Sequence, residues 1–116
     1  ILNASFLAMH RATKKIKGKF ELLLIDGNRF NKYKNVEHKC IIKGDTKYMS
    51  IAAASILAKT ARDKIMKDLS QGFPKYDWEN NQGYPTKKHR VAIKELGANI
   101  HHRKSFRLLA NQLDLF

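Results

Sequence analysis

Negative charge is scarce in this chain: 10 acidic residues stand against 23 lysines and arginines, a formal charge of +13 over 116 residues. Such a field excludes a polycationic partner and favours a polyanion, either nucleic acid or an anionic membrane surface. Cysteine is nearly absent as well. The single Cys40 excludes an internal disulfide and fits a reducing cytoplasm. Long apolar runs are missing too. The longest, Ile51 to Ala58, contains Ser55 and falls far short of the ~20 residues that cross a bilayer, so no transmembrane helix and no membrane partner is expected. The N-terminal ILNASFLAMHRATKK puts apolar residues before basic ones, the reverse of a signal peptide. No HxH or CxxC spacing offers a transition-metal site. The chain opens on Ile1 rather than Met, which points to a piece of a longer or processed protein.

What is present amounts to one domain's worth of chain, without repeats, low-complexity tracts or an interdomain linker. Leu2, Phe6, Met9, Thr13 and Ile16 fall on one helical stripe with Arg11, Lys14 and Lys15 off it, predicting an amphipathic helix over residues 2–17. FELLLI, Phe20 to Ile25, is a short apolar run of the kind expected for a strand buried on both faces. Residues 29–38 read as loop, and Lys39 to Lys43 as a second strand. From Ser50, a plausible N-cap, SIAAASILAKTARDKIMKDL reads as a long helix, apolar all round for its first two turns. That first half is expected to be buried under the sheet. The second half places Ala58, Ala61, Ile65 and Leu69 inward and Lys59, Arg62, Lys64 and Lys67 outward. Residues 71–86 hold both prolines and read as loop; Thr86 caps a helix to about Leu96, ended by Gly97, and HHRKSF leads into a short C-terminal helix.

Both strands end in the same way, LLLIDGN and CIIKGD, with an aspartate just past the last apolar residue. Parallel neighbours about 4.8 Å apart would bring Asp26 and Asp45 together at the mouth of the sheet, where α/β proteins bind ligands. Like-charged carboxylates repel unless neutralised, and a hard divalent cation such as Mg²⁺ neutralises them through oxygen ligands. Two turn aspartates without a function would look the same, since Asp-Gly and Gly-Asp are ordinary turn pairs. His89, His101 and His102 read more simply as packed or loop residues than as ligands.

LLLIDGN, KGDTKYMSIAAASILAKTARD, FPKYDW, GYPTKKH and HHRKSF follow one another in the order and spacing of bacterial ribonuclease HII. The chain resembles that family from Ile1 to about Leu108, corresponding to the C-terminal portion of such an enzyme, with residues 109–116 as a tail. The resemblance implies an α/β, ribonuclease H-like fold, here partial: two core strands plus flanking helices and a helix-rich C-terminal part. It implies an endonuclease that hydrolyses the RNA strand of RNA/DNA hybrids and cuts at ribonucleotides embedded in duplex DNA, using two Mg²⁺ or Mn²⁺ ions. Asp26 and Asp45 match two of the family's four metal-binding carboxylates. Tyr84 matches the tyrosine beside the ribonucleotide-to-deoxyribonucleotide junction, where a 2′-hydroxyl is read. Lys43, Lys47, Lys59 and Arg62 are near the acids in sequence and would grip phosphates.

The chain departs from the family pattern in two ways. The family's other Asp-Glu pair and its glycine-arginine-glycine loop precede the segment matching Ile1, so this chain by itself is expected to be inactive and to expose an open strand edge. Gln82 also stands where a lysine is common before GY. The last five residues, QLDLF, resemble the pentapeptide by which bacterial replication and repair proteins dock on the sliding clamp. Leu113, Leu115 and Phe116 would fill an apolar pocket, each worth ~1.5–3 kcal/mol if fully buried, with Gln112 hydrogen-bonding at the rim. The alternative to an enzyme is a non-catalytic basic module that holds nucleic acid. A ribosomal or nucleoid protein would explain the charge but not the paired acids.

Overall fold

A computed structural model describes residues 1–109. The chain forms two compact units, the first Ile1–Leu57 and the second beginning at Ala58.

The first unit starts with helix α1, Leu2–Lys14, three residues shorter than its periodicity predicts. The amides of Lys15 and Ile16 turn back to the carbonyls of Ala12 and Thr13, a tightened last turn ahead of Gly18. Its buried face is narrower than the stripe suggests, with Phe6 and Thr13 buried while Leu2 and Ile16 stay exposed. Phe6 meets Phe30 edge-on at 6.1 Å, and the His10 ring lies 5.3 Å from both Phe30 and Tyr33. The segment after the first strand is therefore anchored on α1 through its aromatic residues.

Strands β1, Leu22–Asp26, and β2, Glu37–Ile41, pair in parallel with Leu22 opposite Glu37 and Asp26 opposite Ile41. The second begins two residues earlier than predicted. Parallel pairing of two strands so near in sequence places both carboxyl ends on the same side, which an antiparallel hairpin would not. The expectation that β1 is buried on both faces does not hold. Leu23, Leu24 and Ile25 are half-buried and Leu22 is exposed, because among the described residues the sheet has two strands and β1 pairs only with β2.

Past β2, Lys43 takes a left-handed conformation (φ 53°, ψ 47°) and opens the short helix α2, Gly44–Lys47. Helix α3, Met49–Gly72, follows. It starts one residue before Ser50, which is therefore inside the helix rather than at its cap. Its apolar first half is not buried as expected: Ile51 is 6% exposed, but Ile56 is 64% and Leu57 72% exposed. A helix apolar all round buries only the face that its neighbours cover, and here Ile51 is on that face. Its second half matches the prediction at Leu69 and at the outward Lys59, Arg62, Lys64 and Lys67, but Ala58, Ala61 and Ile65 are exposed, and Met66 and Ser70 join Leu69 on the inward face.

The second unit holds the better-formed core. Tyr76, Trp78, Ala92 and Ile93 are buried, and Met66, Leu69, Phe73, Leu108 and Leu109 pack against them. Residues 71–86 are more ordered than a loop: a 3₁₀ turn at Pro74–Tyr76 leads into helix α4, Trp78–Asn81. This stacks Tyr76 on Trp78 at 5.0 Å and 14° between planes. The Tyr76 hydroxyl donates to the Gly97 carbonyl at 2.8 Å, and burial pushes its phenol pKa up. Helix α5, Lys87–Leu96, matches its prediction. The Thr86 side chain accepts from the His89 amide and Gly97 (φ 79°) ends it. Among the described residues no helix follows Leu96; HHRKSF is a series of turns.

Candidate metal and nucleic-acid site

The carboxyl ends of β1 and β2 form a corner held by two hydrogen bonds. Asp26 is the last residue of β1, and Gly27 (φ 123°) extends the ladder by donating to the Ile41 carbonyl at 2.9 Å. Its positive φ turns the chain away at a point where a side chain would be strained. On the other side, the Gly44 amide donates to Asp26 Oδ1 at 2.8 Å. Asp45 is the next residue, in the first turn of α2. One carboxylate is thus tied to the turn that carries the other.

Gly44 is itself packed in. A Cβ there would stand 2.6 Å from Ile51 Cδ1 and 3.4 Å from Asp26 Oδ1, so the close approach of α2 to β1 requires glycine at this position. Lys43, in a backbone region that costs a non-glycine residue ~1–3 kcal/mol, is held there by the Asp26–Gly44 bond on one side and the α2 turn on the other. Residues under such strain cluster where geometry serves function. In the sequence Lys43 stood out only as a phosphate contact; neither its left-handed backbone nor the close packing at Gly44 was legible there, although the KGD triplet contains both.

Both acids are exposed, as are Lys43 and Lys47 on the same short segment. Carboxylate oxygens are suitable ligands for Mg²⁺ or Mn²⁺. Two carboxylates fit part of such a site rather than the whole of it: among the described residues no group of three or more His, Cys, Asp or Glu side chains comes together.

The remaining predicted residues lie in the second unit. Lys59 and Arg62, on α3, both bind Asp63, Lys59 through Oδ2 and Arg62 through Oδ1 at 3.1 Å. The Lys59 ammonium and then the Arg62 guanidinium hold the Asp63 carboxyl below its usual pKa. Exposed pairs of this kind are weak, so these cations are ordered along the helix rather than locked. Tyr84 is 61% exposed at the edge of a cavity of about 650 Å³ that is also lined by His89, Arg62, Arg90, Arg103 and Arg107. An aromatic ring among four guanidinium groups suits a nucleotide, with a face for stacking and cations for phosphate. Gln82 lines the same cavity and donates to the Glu79 carbonyl at 2.7 Å. Gln112, Leu113, Leu115 and Phe116 lie outside the described residues. His89 was read as a packing residue and is one, 4% exposed, but its ring nitrogens are all engaged in a way the sequence does not reveal.

A parallel strand pair with acidic residues at its carboxyl end defines an α/β protein of the kind that binds ligands beyond the strand ends. The chain belongs to the ribonuclease HII family, whose family model matches residues 1–109. Named "Ribonuclease HII" are a Bacteroides fragilis protein 62% identical over all of this chain, a Christiangramia forsetii protein 58% identical over 99% of it, and a Cytophaga hutchinsonii protein 53% identical over all of it. In each case the chain spans 58% of the relative's length. Family membership implies a ribonuclease H-like fold, and a helix-rich chain with one parallel strand pair is consistent with part of one. No helix among the described residues is long and apolar enough to cross a membrane.

Proposed function

We propose that the protein to which these 116 residues belong is a cytoplasmic endoribonuclease that hydrolyses the RNA strand of RNA/DNA hybrids and cuts at ribonucleotides embedded in duplex DNA. The observation that carries this reading is the Gly44 amide bond to Asp26, which ties two acid-bearing turns into one corner at the carboxyl ends of parallel strands. Asp26 and Asp45 contribute two of four metal-binding carboxylates, and the other two come from the part of the family's length that precedes the segment matched here. Residues 1–108 form the C-terminal portion of that catalytic domain. The exposed apolar residues Ile56 and Leu57, and the edge of β1 that has no partner strand among the described residues, are where the rest of the domain packs.

Two Mg²⁺ or Mn²⁺ ions, when bound, supply an activated water and charge stabilisation at the departing 3′ oxygen. The chain's own residues do the positioning. Gly44 holds one oxygen of Asp26 through its amide, which sets the orientation of the carboxylate. Lys43 and Lys47 place positive charge beside the acids for the phosphate backbone, and Lys59 and Arg62 on α3 offer further charge to it, an attraction that weakens as salt rises. Tyr84 packs against the sugar at the junction and reads the 2′-hydroxyl. The tail residues Gln112, Leu113, Leu115 and Phe116 dock on a sliding clamp.

Asp26→Asn and Asp45→Asn test the assignment in a protein that includes the preceding strand. Asparagine Oδ1 still accepts from the Gly44 amide, so the fold is expected to persist while cleavage falls by orders of magnitude and hybrid binding remains. Binding without cleavage even before substitution would favour the basic module instead. The 116 residues alone are expected not to cleave hybrids with added Mn²⁺; metal-dependent cleavage by them would overturn the division of the site. Clamp binding that survives deletion of residues 112–116 would remove that part of the proposal.

A further inference from the structure

The second unit contains a buried polar chain in which the proton on His89 can be assigned. The Trp78 indole is donor-only and gives its Nε1–H to His89 Nε2 at 3.0 Å, so His89 Nε2 is an acceptor. His89 Nδ1 is 2.9 Å from the Tyr84 carbonyl, which can only accept, so Nδ1 carries the proton. Both contacts demand the same neutral tautomer. His102 Nε2, 3.2 Å from His89 Nε2, must then be a donor, since two lone pairs would otherwise face each other. His102 Nδ1 lies 3.1 Å from both the Asn99 amide, a donor, and Asn99 Oδ1, an acceptor, so it is the contact with His89 that sets the His102 tautomer. Burial, followed by the neighbouring His89 and His101, pushes the His102 pKa down and keeps that ring neutral.

This chain ends on the backbone of Tyr84, whose ring stands exposed at the cavity edge. Thr86, two residues on, caps α5 by accepting from the His89 amide at 3.3 Å. The Tyr84 turn is thus held twice by His89, at its carbonyl by the ring and at its exit by the backbone. The Tyr84 amide also donates to the Asn81 carbonyl at 2.8 Å, and Asn81 donates to the Tyr76 carbonyl; the ring of His89 is what joins the Tyr84 carbonyl to Trp78.

We propose that His89, with its tautomer set by Trp78 and His102, is the positioning residue for Tyr84, and through it determines how well a 2′-hydroxyl-bearing nucleotide is told from a deoxynucleotide. This rests on the reading of Tyr84 as the junction residue. His89 touches no substrate in this role. It fixes the height of the Tyr84 backbone over the core, and the ring follows.

Two substitutions separate positioning from packing. His89→Asn keeps an N–H near the Nδ1 position for the Tyr84 carbonyl but loses the acceptor for Trp78. His89→Gln keeps a polar group for Trp78 and loses the donor to Tyr84. Binding to a duplex with one ribonucleotide and to the matching all-DNA duplex is measured in the full-length protein, in an Asp26→Asn background so that neither is cut. His89→Gln is expected to lose roughly tenfold in the ratio of the two affinities, the equivalent of one hydrogen bond, while His89→Asn keeps most of it. An equal loss in both variants, or a larger one in His89→Asn, would mean that His89 acts through packing on Trp78 alone. Nitrogen-resolved NMR of the 116-residue chain gives an independent readout: the proton is expected on Nδ1 of His89 and Nε2 of His102, and a proton on His89 Nε2 would overturn the inference. If the parent protein shows no preference for the ribonucleotide duplex while the tautomers are as assigned, it is the junction reading of Tyr84 that fails.

Discussion

Replacing Gly44 with alanine tests whether the acid-bearing corner depends on close packing. The new Cβ would stand 2.6 Å from Ile51 Cδ1, about 1 Å inside the ~3.5–4.0 Å at which carbon atoms rest. Ile51 is buried, so relieving the overlap means twisting its side chain off a rotamer, costing ~0.5–1.5 kcal/mol, or moving α2 away from β1, an overpacking cost of ~1–3 kcal/mol. Alanine recovers ~0.5–1 kcal/mol as the better helix former. The net expectation is a destabilisation of about 0.5–2 kcal/mol, read in hydrogen exchange of the β1 and β2 amides. Ile51→Val deletes the Cδ1 atom in question and alone costs ~0.5–1.5 kcal/mol. If the clash is the cause, the double variant is no less stable than Gly44→Ala alone, a coupling of about 1 kcal/mol against the ~0.3–0.5 kcal/mol scatter of independent sites. Strict additivity, or a Gly44→Ala variant more stable than the parent, would refute the packing argument.

Lys43→Gly should relieve the left-handed strain and, after the entropic cost of glycine, raise stability by about 0.5–1 kcal/mol, while lowering the salt slope of hybrid binding by about one if Lys43 meets a phosphate. Stability and binding moving together would contradict that assignment. Tyr76→Phe keeps the stack on Trp78 and strands the Gly97 carbonyl, at a cost of about 1 kcal/mol visible in urea unfolding followed by Trp78 fluorescence. The Asp77 carboxyl is held below its usual pKa by the Asn80 amide and then by the Lys88 ammonium. Because the folded value is the lower one, its stabilisation is complete above the ordinary carboxylate range near ~3.9 and is lost as pH falls through the folded value. His102, also depressed, contributes fully above about 6.5 and loses its contribution below that. Acid unfolding of the second unit should therefore begin in the histidine range and steepen in the carboxylate range; Asp77→Asn should shrink the second stage, leaving the share of Asp63, and not alter the first.

Helix α5 was fully legible in the sequence because its two ends carry their own chemistry, a Thr86 hydroxyl for the first turn and a Gly97 that accepts a positive φ. The aspartates that end both runs were legible, but the parallel pairing of β1 and β2 entered only as a condition and was decided by the structure. Helix α3 was legible as a helix but not in its orientation. Apolar residues all round say that several faces are suited to burial, and the choice of Ile51 over Ile56 and Leu57 depends on which neighbours are present. Residues 71–86 read as loop from their prolines and glycines, yet they carry Tyr76 and Trp78, the centre of the second core. A proline at the first position of a short turn is compatible with a helix start, and composition alone cannot tell that from a break.

The sequence by itself determined the charge, the family and the two acids, since each is written in residue identity and spacing along the chain. Tertiary structure alone decided how closely α2 approaches β1, which oxygen of Asp26 the Gly44 amide holds, and which nitrogen of His89 carries its proton. Those depend on distances between residues far apart in the chain: Asp26 from Gly44, Trp78 from His89, His89 from His102. A hydrogen bond forms or fails within a few tenths of an ångström, and periodicity along a chain does not specify position to that degree.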